Sequence, residues 1–365
     1  MANITFMIGN GFDLACGLKS RFSDTYDDYI NSPSANKVIT HFKQNIESDI
    51  KTWSDFEMKM AKYAKNFSTE NEFIQCVRDY TRFLNAYLKD QEAMFKGVIS
   101  QSDLRVPIVK EVAELFSSFH KGLIKNDYNQ IERMLEGQLN RISIIYFNYT
   151  DTLDTLVDLL QNDAPDIPLY EHPMMIEKIV HIHGQLDNDV TLGIDNEAQF
   201  ENLPYKLTPK GKRVFIKPFF NAQYDTQRVE DAKHTILNSN VICTFGWSLG
   251  ESDETWRKEI LSWALKSEYH HLIVFSHKLL SKQYPVCSIT EQMDDAEDYK
   301  EVLLNSIASK TTPDDYEKLI SRIHIAVGYR VFDLPASVIG YQKAIDSYLQ
   351  PATDEEIEQL LFGTT

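Results

Sequence analysis

The sequence predicts an α/β fold: a parallel sheet, built from strands that flank a large helical insertion. Three observations predict it. Short β-branched and apolar runs recur along the chain, and helical segments stand between consecutive runs, the pattern of βαβ units. A long early stretch carries helical periodicity with almost no Gly or Pro to interrupt it.

Residues 4–8 read as a buried strand that stops at Gly9. Roughly residues 24–140 form the helical stretch. It is clearest where Phe73, Val77, Tyr80, Leu84 and Leu88 repeat at i, i+4, i+7, i+11 and i+15. Further helices are expected around 37–66, 105–124 and 127–138. Strand signals resume at 142–147, 178–182, 241–245 and 271–275, with a last short strand near 322–327. Helices are expected over 151–160, 253–265 and 336–349. The acidic stretch 292–315 reads as a solvated loop and helix face. The domain reading is an α/β domain over 1–335, interrupted by the helical insertion at about 26–140, and a C-terminal helical tail over 336–365.

The 365 residues hold 37 Lys plus Arg against 54 Asp plus Glu, a formal net charge of −17. Such a surface repels polyanions at long range and argues against broad nucleic-acid or anionic-membrane binding, though not against a local pocket for one nucleotide. Cys16, Cys76, Cys243 and Cys287 lie far apart with no C-x-x-C pair, so neither zinc nor a redox dithiol is expected. The N-terminal apolar run has no basic flank and is too short for a signal peptide, and no stretch approaches the ~20 apolar residues that span a bilayer. A cytoplasmic protein without membrane partners is expected.

Four strand ends carry the chemistry. Gly9-Asn10-Gly11-Phe12-Asp13 follows the first strand, where glycines let a backbone approach a pyrophosphate or simply make a turn. Asp13 repels phosphate and suits a ribose hydroxyl, a helix cap or an oriented loop. Phe147-Asn148-Tyr149-Thr150-Asp151 follows the second strand; Asn148 facing a cleft and Thr150 or Asp151 capping a helix are compatible roles. His181-Ile182-His183-Gly184 ends the third. It offers a two-histidine metal pair with no third ligand nearby, a core histidine, or an acid–base group in His183. Phe245-Gly246-Trp247-Ser248-Leu249-Gly250-Glu251-Ser252-Asp253 repeats the small-residue turn after the fourth strand, with Ser252 or Asp253 as a cap.

Together GNGFDLA, FNYTDTLD, HIHGQL and FGWSLGESD resemble the AbiH-type phage abortive infection proteins, over about residues 3–265. The segments Gly17 to Asp24 and Trp53 to Glu57 also resemble that family. It is in turn similar to the sirtuin-like NAD-binding fold, which implies a Rossmann-like sheet with the four turns lining one NAD cleft. The resemblance implies that Gly9 and Gly11 face the pyrophosphate, with Asn10, Phe12 and Asp13 in the same binding loop. Asn148 and His183 would stand at the nicotinamide ribose, and Ser248 at a phosphate or ribose. The zinc-binding cysteine pairs of sirtuin deacylases are missing, so deacylation is not implied. The helical insertion suits an element that senses a phage-derived trigger or forms a homo-oligomer.

The leading expectation is therefore an antiphage effector that hydrolyses the N-glycosidic bond of NAD or a related nucleotide, with Asn148, His183 and Asp151 as the catalytic set and no metal. One rival is a nucleotide sensor that does not cleave. Another is a nucleic-acid-cleaving or end-modifying enzyme. That rival would use Glu57, Asp13 and Asp151 as metal carboxylates and the basic run Lys206, Lys210, Lys212, Arg213 and Lys217, five cations in 12 residues. Trp53, Phe56 and the Phe73 to Leu88 stripe read as core.

Overall fold

The computed structural model describes residues 2–137, 139–163, 172–276, 289–305, 312–327 and 332–349. In chain order, β1 (Asn3–Ile8) passes through the short helix α1 (Gly11–Ala15) into α2 (Phe22–Asn31), α3 (Lys37–Ser48) and α4 (Phe56–Tyr63). The long α5 (Glu70–Ile99), α6 (Ser102–Ser117) and α7 (Lys125–Leu135) come next, then β2 (Asn140–Tyr146), α8 (Thr152–Asp163) and β3 (Met174–His181). Three short helices, α9 (Pro209–Phe215), α10 (Lys217–Tyr224) and α11 (Thr226–Leu237), lead to β4 (Val241–Phe245), α12 (Glu254–Lys266) and β5 (His271–Ser276). The remaining described elements are α13 (Ile289–Asn305), α14 (Pro313–Arg322), β6 (Ile323–Val327), α15 (Leu334–Ser337) and α16 (Tyr341–Leu349).

The strands form one six-stranded sheet in the order β3-β2-β1-β4-β5-β6, and every pairing is parallel. Their side chains alternate between two cores. Ile4, Phe6 and Ile8 enter one, with Ile142, Ile144, Val241 and Cys243, under α5, α6 and α7. Met7, Ile145, Ile242, Leu272 and Val274 enter the other, under α11 to α14. Burial on both faces is why these strands read as continuous apolar runs rather than alternating ones. Phe6 fixes the first layer, meeting Phe116 and Phe119 edge-on at 5.1 and 5.5 Å.

A third core stands apart from the sheet. It is built from α2 to α4, the first half of α5 and residues 192–216, around Trp53, Phe56 and Tyr80. Helix α5 joins the two regions. Thr69 and Glu72 close its N-terminus as a capping box, Phe73 to Leu88 enter the separate core, and Met94 to Ile99 enter the sheet core. The expected strands and the apolar stripe are all present. The helices over 209–237 have no counterpart among the expectations, because short segments rich in Lys, Gln and Asn carry little apolar periodicity. The final helix is also split, into α15 and α16 around Gly340, whose φ is +88°. Residues 350–365 of the expected tail, and Cys287, lie outside the described residues.

Register decides where function can sit. Ile8 lies level with Tyr146 and Phe245, and Tyr146 lies level with His181. Four strands therefore end together, and the turns after them leave from one edge of the sheet. The chain reverses its direction of progress between β1 and β4, the place where open parallel sheets hold ligands.

Candidate active site

The turn after β1 lies directly on the turn after β4. Gly9 N–H donates to Phe245 O at 2.9 Å, and Gly11 N–H to Gly246 O at 2.8 Å. A Cβ on Gly11 would stand 2.4 Å from Gly246 Cα, and one on Gly9 2.7 Å from Trp247 Cα. These glycines are therefore required by contact between two protein backbones. With Phe12 N–H donating to Gly9 O, three amides of the loop are engaged inside the protein. The opposing turn is itself strained, with Gly246 at φ +63° and the non-glycine Leu249 at φ +54°.

Asp13 ties the β1 turn to the β2 turn. Tyr146 donates to its Oδ1 at 2.6 Å and Thr150 to its Oδ2 at 2.8 Å, while Asn148 Nδ2 donates to Tyr146 Oη at 3.2 Å. Burial pushes the Asp13 carboxyl up to about 6, although these hydrogen bonds pull the other way. Asn148 is thereby held at the mouth of β2 with its side chain buried.

Beside it stands a buried ionic cluster. The Lys217 ammonium donates to Glu57 Oε2 at 3.0 Å, Asp253 Oδ1 at 3.0 Å and the Ser252 carbonyl at 3.3 Å, so all three of its protons have acceptors. Glu57 also accepts from Gly193 N–H at 2.9 Å, and Asp253 from Trp247 Nε1 at 3.3 Å. Burial outweighs Lys217 at Glu57 and brings that carboxyl up to about 7. At Asp253 burial is outweighed by Lys217, which holds the acid below its usual range. His183 Nε2 approaches Asp253 Oδ1 at 3.2 Å outside hydrogen-bond alignment and has no hydrogen-bond partner among the described residues. Burial, then the charge of Lys217, pushes His183 down to about 3, so the imidazole is neutral at any physiological pH.

All of this faces one cleft of about 820 Å³, lined by Gly9, Asn10, Gly11, Asp13, Asn148, His183 and Ser248 together with Glu57, Lys217 and Asp253. Leu84 and Leu88 of the α5 stripe are buried, as expected for core residues, but they also form part of its wall. Two residues of the expected site set stand elsewhere. The Phe12 ring is fully buried and stacks on Phe332 at 5.0 Å. Asp151 pairs with Lys96 at 2.6 Å, gives its amide to Glu92 at 2.7 Å, and does not line the cleft. The Asn10 side chain lines the rim but is committed to Ser20 through two hydrogen bonds of 3.0 and 2.6 Å.

Three rival readings of these residues are narrowed. His181 and His183 do not make a metal pair, because β3 ends at His181, which turns to Asp154 at 3.1 Å. Glu57, Asp13 and Asp151 do not share a metal position, since Lys217, Tyr146 with Thr150, and Lys96 hold them separately. Two of the five cations of the basic run are taken up within the protein, Lys217 buried in the cleft and Lys212 paired with Glu197 at 2.5 Å, while Lys206, Lys210 and Arg213 are exposed. Lys217 is the cleft residue that sequence reasoning misplaced. The apolar neighbours Ile216, Pro218 and Phe219 were the available sign that this cation is not solvated.

The profile described as Bacteriophage abortive infection AbiH matches residues 5–275, close to three quarters of the chain. The chain belongs to this family. The AbiH match begins in β1 and ends in β5, so it includes every turn that lines the cleft, and membership indicates a role in phage abortive infection. No curated protein matches the chain. Among the described residues, no helix is long and apolar enough to cross a membrane.

Proposed function

We propose that this AbiH-family protein binds NAD or a related nucleotide in the cleft and hydrolyses its N-glycosidic bond as the effector step of abortive infection. One observation carries the reading. The cleft at the sheet's reversal point gathers Asn148, a neutral His183 with an unpartnered Nε2, and a Glu57 carboxyl near pH 7. The strand order also supports a Rossmann-like reading of the sheet, while the sirtuin-like part of it rests on the turn motifs.

The cleft fits such a ligand in size, as small-molecule sites span roughly 300–1,000 Å³. It fits less well as a glycine cradle, because the Gly9, Gly11 and Phe12 amides are engaged. The phosphates would fall to Ser248 and to Arg21 at the rim. At the ribose, Asn148 would hold a hydroxyl, and the acids Glu57 and Asp253 would favour positive charge developing at C1′. Breaking the C1′–N bond sends its electron pair to the leaving base. Water, oriented by the unpartnered Nε2 of neutral His183, then adds at C1′, and its proton passes to the Glu57 carboxylate.

Purified protein incubated with NAD should release nicotinamide and ADP-ribose, resolved by chromatography. His183→Ala, Asn148→Ala and Glu57→Gln should each reduce turnover by ~10²–10⁴-fold, the range of positioned acid–base groups. Unchanged NAD in cells arrested by infection would remove the proposal. The closed hydrogen bonding of Asp13 and Lys217 favours a second reading, ligand binding without cleavage. Calorimetric binding of ADP-ribose with no product from NAD would select it.

A further inference from the structure

A second cluster lies at the opposite edge of the sheet, independent of the cleft. His120, in the turn between α6 and α7, places Nε2 2.6 Å from Glu132 Oε2, on α7. His172, just ahead of β3, places its own Nε2 3.2 Å from the same oxygen. The ligand atoms of the three residues all lie within 4.8 Å of one another. We infer that His120, Glu132 and His172 form a binding site for a divalent transition-metal ion of the zinc class.

The donor chemistry supports it. Two imidazole nitrogens and one carboxylate form a familiar zinc set, in which water takes a further position. Donors at about 2.0–2.2 Å from a tetrahedral ion lie about 3.4 Å apart, so small side-chain shifts would convert the present contacts into a coordination shell. An imidazole binds the ion through Nε2 with its ring proton on Nδ1, so loading exchanges the present contacts of both rings with Glu132 for bonds to the ion. The side chains of His120 and His172 are 0% and 7% exposed, whereas that of Glu132 is 30% exposed and leaves a path for the ion. Tyr128 stacks on the His120 ring at 5.1 Å and fixes its plane.

The three ligands come from positions distant in sequence, so the ion would clasp the α6–α7 turn and α7 to the start of β3. Metal affinity would then appear as fold stability. The test is calorimetric titration of chelator-treated full-length protein with zinc chloride, joined to thermal unfolding with and without zinc. We expect one tight equivalent per chain and a raised midpoint. His172→Ala and Glu132→Gln should each weaken binding by at least ~100-fold, since losing even a supporting residue around a ligand costs ~10–100-fold. Glu132→Gln keeps the side-chain shape, so it separates ligand loss from misfolding. Wild-type protein that binds no tight equivalent, or variants that bind zinc as tightly as wild type, would overturn the assignment.

Discussion

Replacing Lys217 with Met tests the electrostatics of the cleft directly. Met matches the length of the lysine stem but removes the charge that faces Glu57 and Asp253 at 3.0 Å each. Glu57 keeps Gly193 N–H and Asp253 keeps Trp247 Nε1, so neither acid is left without a hydrogen bond. Removing one partner from a buried ion pair costs about 3–5 kcal/mol. The dependence on pH is the sharper signature. A carboxyl whose folded value is raised holds its proton longer in the native state than in the unfolded one, so stability falls as pH rises through that window. For Glu57 in the wild type the window closes near its folded value of about 7. Without Lys217, the largest influence lowering that value, the window extends upward. The deficit of Lys217→Met should then grow between pH 6 and pH 8.5 by roughly 2 kcal/mol, at about 1.4 kcal/mol per pH unit above 7. Urea titrations of both proteins at the two pH values measure this, and adding Glu57→Gln to Lys217→Met should recover part of the loss. A deficit below about 1 kcal/mol, or one equal at both pH values, would refute the buried-cluster reasoning.

Phe6→Ala should cost about 3–5 kcal/mol in denaturant unfolding, because the emptied space between Phe116 and Phe119 cannot collapse easily. Gly246→Ala places a Cβ 2.7 Å from the Gly11 backbone at a φ of +63°. It should cost at least ~1–3 kcal/mol and reduce ligand affinity in the cleft, measured by unfolding and calorimetry in parallel. His271, hydrogen-bonded to His324 at 2.9 Å, is pushed by burial down to about 4. Its folded value lies below its unfolded one, so the unfolded state gains the proton first as pH falls. Relative to His271→Gln, wild-type stability should drop from about pH 6.5 to pH 4 by up to ~3 kcal/mol in pH-resolved melting.

The sheet was legible because its strands are buried on both faces: Ile4 to Ile8 and Val241 to Phe245 have no polar alternation to confuse with a helix. The α5 stripe was legible because Phe73 to Leu88 keep one helical face against a core. The site was legible only as strand ends. Gly11, Asn148, His183 and Ser248 are each small, polar or titratable where an apolar run stops, and the common register brings them to one edge. The charge partners were not legible. Glu57 and Lys217 are 160 residues apart, and although each has apolar neighbours that mark it as buried, nothing in either segment points to the other. The glycines were legible as a turn, but their contact with Gly246 and Trp247 arises only once the fold brings two distant turns together.

The most direct test of the cleft's chemistry is a crystal structure of the Glu57→Gln variant grown with NAD. Density for the intact dinucleotide, with its nicotinamide ribose against Asn148 and His183, is the expected result. Ligand bound on another surface, or a cleft still holding only solvent at saturating NAD, would contradict it.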